Sequence, residues 1–374
     1  MIFLKFKLFN ISYMKLQKLI KIKKGQQLNK EFLYKKNEKD INLFPVINGG
    51  KEPSGWWWKS NFDKNLITIS QGGASCGYVQ WQHTKFWAGA HCYVIMIIHN
   101  KLNYKFIYYF LKNKEKLLMK NQKGAGIPSL DTKTIYNLEI SIPPIEVQNK
   151  IVEILDKFTN YKAQLTAELT FRKEQYKYYR NILMNKYINK NLFATTLSKV
   201  TLINKFKQPQ ANELEKMIDI NGNIALLPSS RNYNWFTTLN KAKKWLSNGN
   251  VIALGRARNP NIKKCEGYFV SSNNIIIQSF DEKILSHKYL YYFLDNIKES
   301  FYVESASYPK FDRNIFDQTK IFVPPIEIQN KIVEILDKFS FLINNISDGI
   351  PKEIELRKKQ YEYYRNLLLT FKDE

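Results

Sequence analysis

The chain has 374 residues, 44% of them apolar, and a net charge of +25. That length and apolar share exclude a disordered chain and allow two domains with cores of their own. No uncharged apolar run reaches the roughly eighteen residues a membrane-spanning helix needs. The charge points to a polyanion partner. Three cysteines without C-x-x-C spacing exclude a disulfide framework and fit a reducing cytoplasm.

Residues 1–13 are apolar and cationic. Lys5 and Lys7 break the apolar run and no small-residue cleavage site follows, so this stretch is expected as a disordered leader, with Met14 a natural start. Residues 14–141 form a first variable region with mixed helix and strand character. Asn65–Ser70 reads as a strand, a Gly- and polar-rich stretch follows, and an amphipathic helix begins at Lys105. Trp56, Trp57 and Trp58 have the chemistry to stack on bases, but such a run is expected in the core. Cys76, His83, His91 and Cys92 are near one another in sequence. Adjacent His and Cys on a strand point to opposite faces, however, and the spacing matches no zinc pattern, so no metal site is assigned.

Residues 142–190 read as a long helix. Pro143 and Pro144 suit its entry, and Glu146 falls in the positive first turn. Its apolar stripe runs through Ile151, Leu155, Phe158, Tyr161, Leu165, Leu169, Tyr176, Tyr179 and Leu183, in steps of three, four or seven. Residues 191–322 form a second variable region on the same plan, with a strand-like run at Asn250–Gly255 and a helix from Lys288. A second long helix, residues 323–374, then repeats the first. Val323–Phe339 matches Ile142–Phe158 at fifteen of seventeen positions, and residues 356–369 match 171–184. The offset grows from 181 to 185, so the second copy carries four extra residues, and Gly349 and Pro351 are expected to kink or interrupt it there.

Each helix alone exposes a seam too apolar for water, and the other copy is the simplest cover. The expected fold class is α+β: two mixed α/β domains joined by two long helices packed as an antiparallel coiled coil with pseudo-two-fold symmetry. Repetition of the exposed polar positions suggests a partner shared by both copies.

This order of parts resembles the specificity subunit of type I restriction-modification systems. The motifs that carry the resemblance are P-P-I-E-x-Q-N-K-I-V-E-I-L-D, Y-x-Y-Y-R-N-x-L, the opening L-I-K-I-K-K-G (19–25) and S-x-G-G-A-S-C-G-Y-V (70–79). The resemblance implies that each variable region is a target-recognition domain reading one half of a split, asymmetric double-stranded DNA site. It implies that the helices space the halves and dock two modification subunits, which bind S-adenosylmethionine and methylate adenine, and that the assembly recruits restriction subunits. The chain is then not itself an enzyme, and S-adenosylmethionine, Mg2+ and ATP belong to the partners.

Base-reading candidates in the first domain are Gln71, Ser75, Tyr78, Gln80, Gln82, His83 and Lys85. With no Arg there, adenine readout by Gln is favoured and an A·T-leaning half-site is expected. In the second domain they are Arg256, Arg258, Asn259, Lys263, Lys264, Tyr308, Lys310 and Arg313. Tyr178, Arg180, Tyr363 and Arg365, near the helix ends, are candidates for partner docking. A self-contained methylating enzyme would need a Gly-rich cofactor loop and an N/D-P-P-Y/F motif. The sequence has neither, because its only Pro-Pro pairs follow Ile142 and Val323. The alternative reading is a non-specific basic coiled-coil adaptor or a single-strand nucleic-acid-binding protein.

Overall fold

The structure is a computed structural model. It describes residues 11–35, 42–121, 128–185, 194–230, 234–256, 260–304, 308–344 and 349–370. Contacts divide the chain into two units, residues 1–166 with 353–374 and residues 167–352.

In the first unit, strand Leu66–Ser70 is buried along its whole length between Cys92–Ile97 and Val79–Gln82, and Ile20–Lys24 completes the antiparallel sheet on the far side of Cys92–Ile97. Its run of Ile, Thr and Leu suits a strand covered on both faces. A smaller sheet sets Phe44–Ile47 between antiparallel Trp56–Trp57 and parallel Trp87–Ala88. The helix Tyr104–Asn113 is capped by Asn103, whose side chain accepts from the amides of Lys105 and Phe106. It turns Phe106, Ile107, Phe110 and Leu111 into the core. Ser12–Lys15 pairs with Glu139–Ile142 just ahead of the long helix. Ser12 and Tyr13, assigned by sequence to the leader, therefore belong to a strand that gives Ser141 and Ile142 their backbone partners. Residues 1–10 lie outside the described residues.

The second unit repeats this plan with different side chains in its sheets. Its antiparallel sheet runs Thr201–Asn204, Asn274–Ser279, Val251–Gly255, Ile262–Cys265, the same order and direction. Ile224–Pro228 lies between antiparallel Trp235–Thr237 and parallel Tyr268–Ser272. Ala194–Thr196 pairs with Lys320–Phe322.

The first repeat is an unbroken helix, Ile145–Asn185. The second is interrupted near Gly349, as expected: it is two helices, Ile326–Asn344 and Ile350–Thr370. Gly349 precedes the second, and Pro351 occupies its first turn, where a missing N–H costs no bond. The four residues Ile350–Glu353, the candidate extra turn, are helical and open the second of these helices; residues 345–348 lie outside the described residues.

Each unit draws on both repeats. The first core includes Ile151 and Leu155 with Leu368 and Leu369, and the second includes Ile332 and Leu336 with Met184. In the first unit Phe158 stacks on Tyr364 at 5.4 Å, and the Arg357 guanidinium lies over Tyr161 at 5.0 Å. The contacts ascend one helix while descending the other, so the pairing is antiparallel, as expected. The matched contact in the second unit is Tyr179 on Phe339 at 5.7 Å.

Two of the repeated polar residues, a Gln and an Asp in each copy, face the globular part, while Asn149, Lys150, Glu153 and Lys157 of the first copy stay exposed. Gln148 is fully buried. Its Oε1 accepts from the Asn103 amide at 2.9 Å, and its Nε2 donates to the carbonyls of Lys101 and Pro143. Gln329 makes the same three bonds, to the Ser286 amide and the carbonyls of Ile284 and Pro324. The Tyr109 hydroxyl donates to Asp156 at 2.5 Å, and Tyr292 donates to Asp337. These positions repeat because each helix is locked to its own globular part in one way.

Candidate nucleic-acid interface

In the second unit the loop after Val251–Gly255 carries Arg256. Of the described arginines, Arg172 and Arg357 pair with Glu168 and Glu353, Arg180 with Asp295, Arg313 with Asp317, and Arg365 with Asn113. The exposed Arg256 guanidinium has no partner among the described residues. It shares the lining of a concavity of about 460 Å³ with Asn273, Tyr308, Lys310 and Arg313, floored by Ile203, Ile275 and Phe311. No carboxylate is among those described lining residues.

The turn beneath it is tightly held. Asn273 has a left-handed φ of 54°, which Asn tolerates. Asn274 and Gln208 exchange two bonds at 3.0 Å, and Asn274 Nδ2 donates to the Leu227 and Ser272 carbonyls. An unpaired guanidinium on so fixed a rim suits a guanine edge or a phosphate.

Lys263 does not join this surface. It is buried, and its ammonium donates to the carbonyls of Pro228 and Ser230. Burial pushes its pKa down to about 8. Lys264 turns toward the scaffold, with its ammonium 3.2 Å from Asp337 and over the rings of Tyr291 and Tyr292. Lysines at these positions looked alike in sequence because burial is a property of the sheet. Arg258 and Asn259 lie outside the described residues.

In the first unit, Gln71, Ser75 and Tyr78 occupy the turn after Leu66–Ser70, which Gly73 and Gly77 close with positive φ. Tyr78 is half-buried, with the Lys112 ammonium 4.2 Å from its ring. Gln80 Nε2 donates to the Lys51 carbonyl at 3.2 Å. His83 and Lys85 are exposed in the next turn. Gln82 is buried and donates to Thr68 Oγ1 at 2.8 Å, a bond that holds two strands together. Of the seven, His83 and Lys85 present the most available side chains, because the Gln80 amide also accepts from Gln82 Nε2 at 3.2 Å.

The tryptophans are not core, contrary to expectation. Trp56 and Trp57 form a half-buried edge strand and Trp58 is 52% exposed. The short connection between Phe44–Ile47 and the strand leaves these rings outside the main sheet. Trp57 packs on Phe32, Tyr34 and Trp58 with ring centres 5.6, 6.2 and 5.5 Å away, and the Lys59 ammonium lies 4.2 Å from Trp58.

On the repeat helices, Tyr178 and Tyr363 are 62% and 63% exposed, whereas Arg180 and Arg365 turn inward to the helix ends at Asp295–Asn296 and Asn113. Tyr178 stands in an exposed apolar row with Phe171 and Ile182, and Tyr363 in a matched row with Leu356 and Leu367. Helical spacing puts each row on one face. Among the described residues no group of three or more His, Cys, Asp or Glu has metal-binding geometry, and no helix is long and apolar enough to cross a membrane.

The sequence matches the family model for the type I restriction modification DNA specificity domain over residues 10–172 and 207–356. The specificity subunit of type I restriction enzyme EcoR124I/EcoR124II from Escherichia coli is 32% identical over 302 residues, covering 73% of this chain and 72% of that one. The S subunit of a type I restriction-modification system from M. genitalium shares the fold with a TM-score of 0.67 at 18% identity, over 98% of both chains. A chain from a type I R-M system structure on complex assembly and conformational transition aligns with a TM-score of 0.54 at 11% identity, over 96% of this chain and 97% of that one.

Proposed function

The chain belongs to the type I restriction modification DNA specificity domain family, and from that premise we propose that it reads a bipartite, asymmetric double-stranded DNA site, one half per unit. The observation that carries this reading is the pair of sheets with one strand order and different exposed loops. Equivalent scaffolds with unlike side chains suit two unlike half-sites, with bases read in the loops and phosphates held by surrounding lysines. The Arg256, Lys310 and Arg313 surface favours a guanine or a tightly held phosphate in one half. The first unit, with Gln80, His83 and Lys85, favours adenine and thymine in the other.

The repeat helices set the spacing of the halves. The duplicated rows around Tyr178 and Tyr363 dock two copies of one modification subunit, since a partner that recognises one row recognises the other. Those subunits supply S-adenosylmethionine and the methyl transfer, and restriction subunits supply Mg2+- and ATP-dependent cleavage. The chain contributes recognition and no chemistry, and it works in the cytoplasm with the chromosome.

Mapping of methylated adenines in the genome tests this reading. The expected result is one split motif of fixed spacer that disappears when this gene is deleted. Methylation that persists unchanged in the deletion strain refutes it.

A further inference from the structure

The aromatic ledge of the first unit is unused by readout of base-pair edges. Phe32, Tyr34 and Trp58 are each about half exposed around the central ring of Trp57. Stacked base pairs within a duplex offer no free face to such rings, whereas an unpaired base does. The electrostatics match a nucleic-acid strand. Lys59 lies over Trp58, and the adjoining cavity of about 820 Å³ is lined by Tyr34 and Trp56 with Lys30 and Lys35, and by no carboxylate among its described residues. Glu31 sits on the same turn but does not line that cavity. Lysine is depleted at the cores of protein interfaces, so a lysine-crowned stack favours DNA over a protein partner.

The ledge is tied through the backbone to the candidate reading surface. Gln80 Nε2 is bonded to the carbonyl of Lys51, in the connection that leads from Phe44–Ile47 to the tryptophans.

We propose that Phe32, Tyr34, Trp57 and Trp58 form a stacking site for an unpaired base of DNA, beside the half-site surface of the same unit. Only its location relative to the half-site rests on the reading above. Stacking needs the ring face alone, so the site tolerates any base and acts where the duplex is opened.

The test uses the full chain and a short DNA oligonucleotide carrying 2-aminopurine, presented as a single strand, a perfect duplex, and a duplex with the 2-aminopurine bulged out. Stacking quenches its fluorescence in the single strand and the bulge, and not in the perfect duplex. Trp58→Ala weakens single-strand affinity by roughly 5- to 100-fold with duplex affinity unchanged, and Trp58→Phe restores most of the loss. Because Trp58 is half exposed, its removal spares the fold, and Tyr34→Ala is an independent second variant. Wild-type single-strand binding by both alanine variants overturns the proposal. So does an equal loss on single strand and duplex, or a loss confined to association with the modification subunit. Absence of any duplex sequence preference refutes the half-site reading and leaves the ledge standing, whereas unchanged single-strand binding by the variants removes the ledge alone.

Discussion

The rings of Phe158 and Tyr364 stack at 5.4 Å with their planes 24° apart, although the whole second variable region lies between them in sequence. The first unit is therefore finished only by the last helix of the chain. Its core closes over Leu368 and Leu369, and Tyr361 and Tyr364 pack at its edge. Phe158→Ala and Tyr364→Ala are each expected to cost about 2 kcal/mol, less than a fully buried ring because both are half-buried. The double variant is expected to lose about 1 kcal/mol less than the sum, the coupling of a stacked pair. Urea unfolding of the three variants measures it, and strict additivity would show that the rings do not interact.

Gln148 and Gln329 give a second prediction, of equality. Each fills three backbone bonds where the strand leaving the globular part enters the helix. Leucine keeps the volume but leaves one buried amide without an acceptor and two carbonyls without a donor. Gln148→Leu and Gln329→Leu should each lower stability by about 2–3 kcal/mol. Thermal unfolding of both variants checks this, and a large loss in one copy with none in the other would mean the two locks are not equivalent.

The buried ammonium of Lys263 predicts a stability change with pH. Burial lowers its pKa from 10.5 to about 8. Between those values the unfolded chain holds a proton that the folded chain has released, so stability rises as the pH rises through this window. Below about pH 8 both states are charged and the burial cost stands in full. The gain has a ceiling of about 3 kcal/mol, reduced by the two carbonyls, which favour the charged form. Lys263→Met lacks the titrating group. Urea unfolding at both ends of the window is expected to show wild type gaining on the variant as pH rises, and a constant gap would place the ammonium in solvent.

Much of this architecture was legible in the sequence, because near-identity of two segments at fixed offset is a strong signal and the heptad-like stripe gives its period directly. Ile151, Leu155, Ile332 and Leu336 all enter the cores. The role of the repeated polar residues was not legible. Gln148 and Asp156 have the composition of a solvated face, and only the placement of Tyr104–Asn113 beside them makes them internal. The same limit separates Lys263 from Lys310. Both are loop-flanking lysines in sequence, and the sheet buries one and leaves the other in water. The tryptophans erred in the opposite sense, since hydrophobicity argues for a core and a short edge strand cannot deliver one.

Arg256 carries the sharpest functional prediction. Its guanidinium is exposed and unpaired among the described residues, and it stands over a turn fixed by Asn274 and Gln208. No described residue bonds its side chain, so Arg256→Ala is expected to leave unfolding unchanged. If the guanidinium reads a guanine, discrimination at one half-site falls by about 1–3 kcal/mol and the other half-site keeps its full preference. Methylation of a randomised DNA library by the complex with the modification subunit separates the half-sites in one experiment. If the guanidinium instead holds a phosphate, binding weakens uniformly across the library and the salt slope falls by about one. Arg256→Lys then distinguishes the two chemistries: an ammonium replaces a phosphate contact nearly in full, but it lacks the planar fork that pairs with two acceptors on one base.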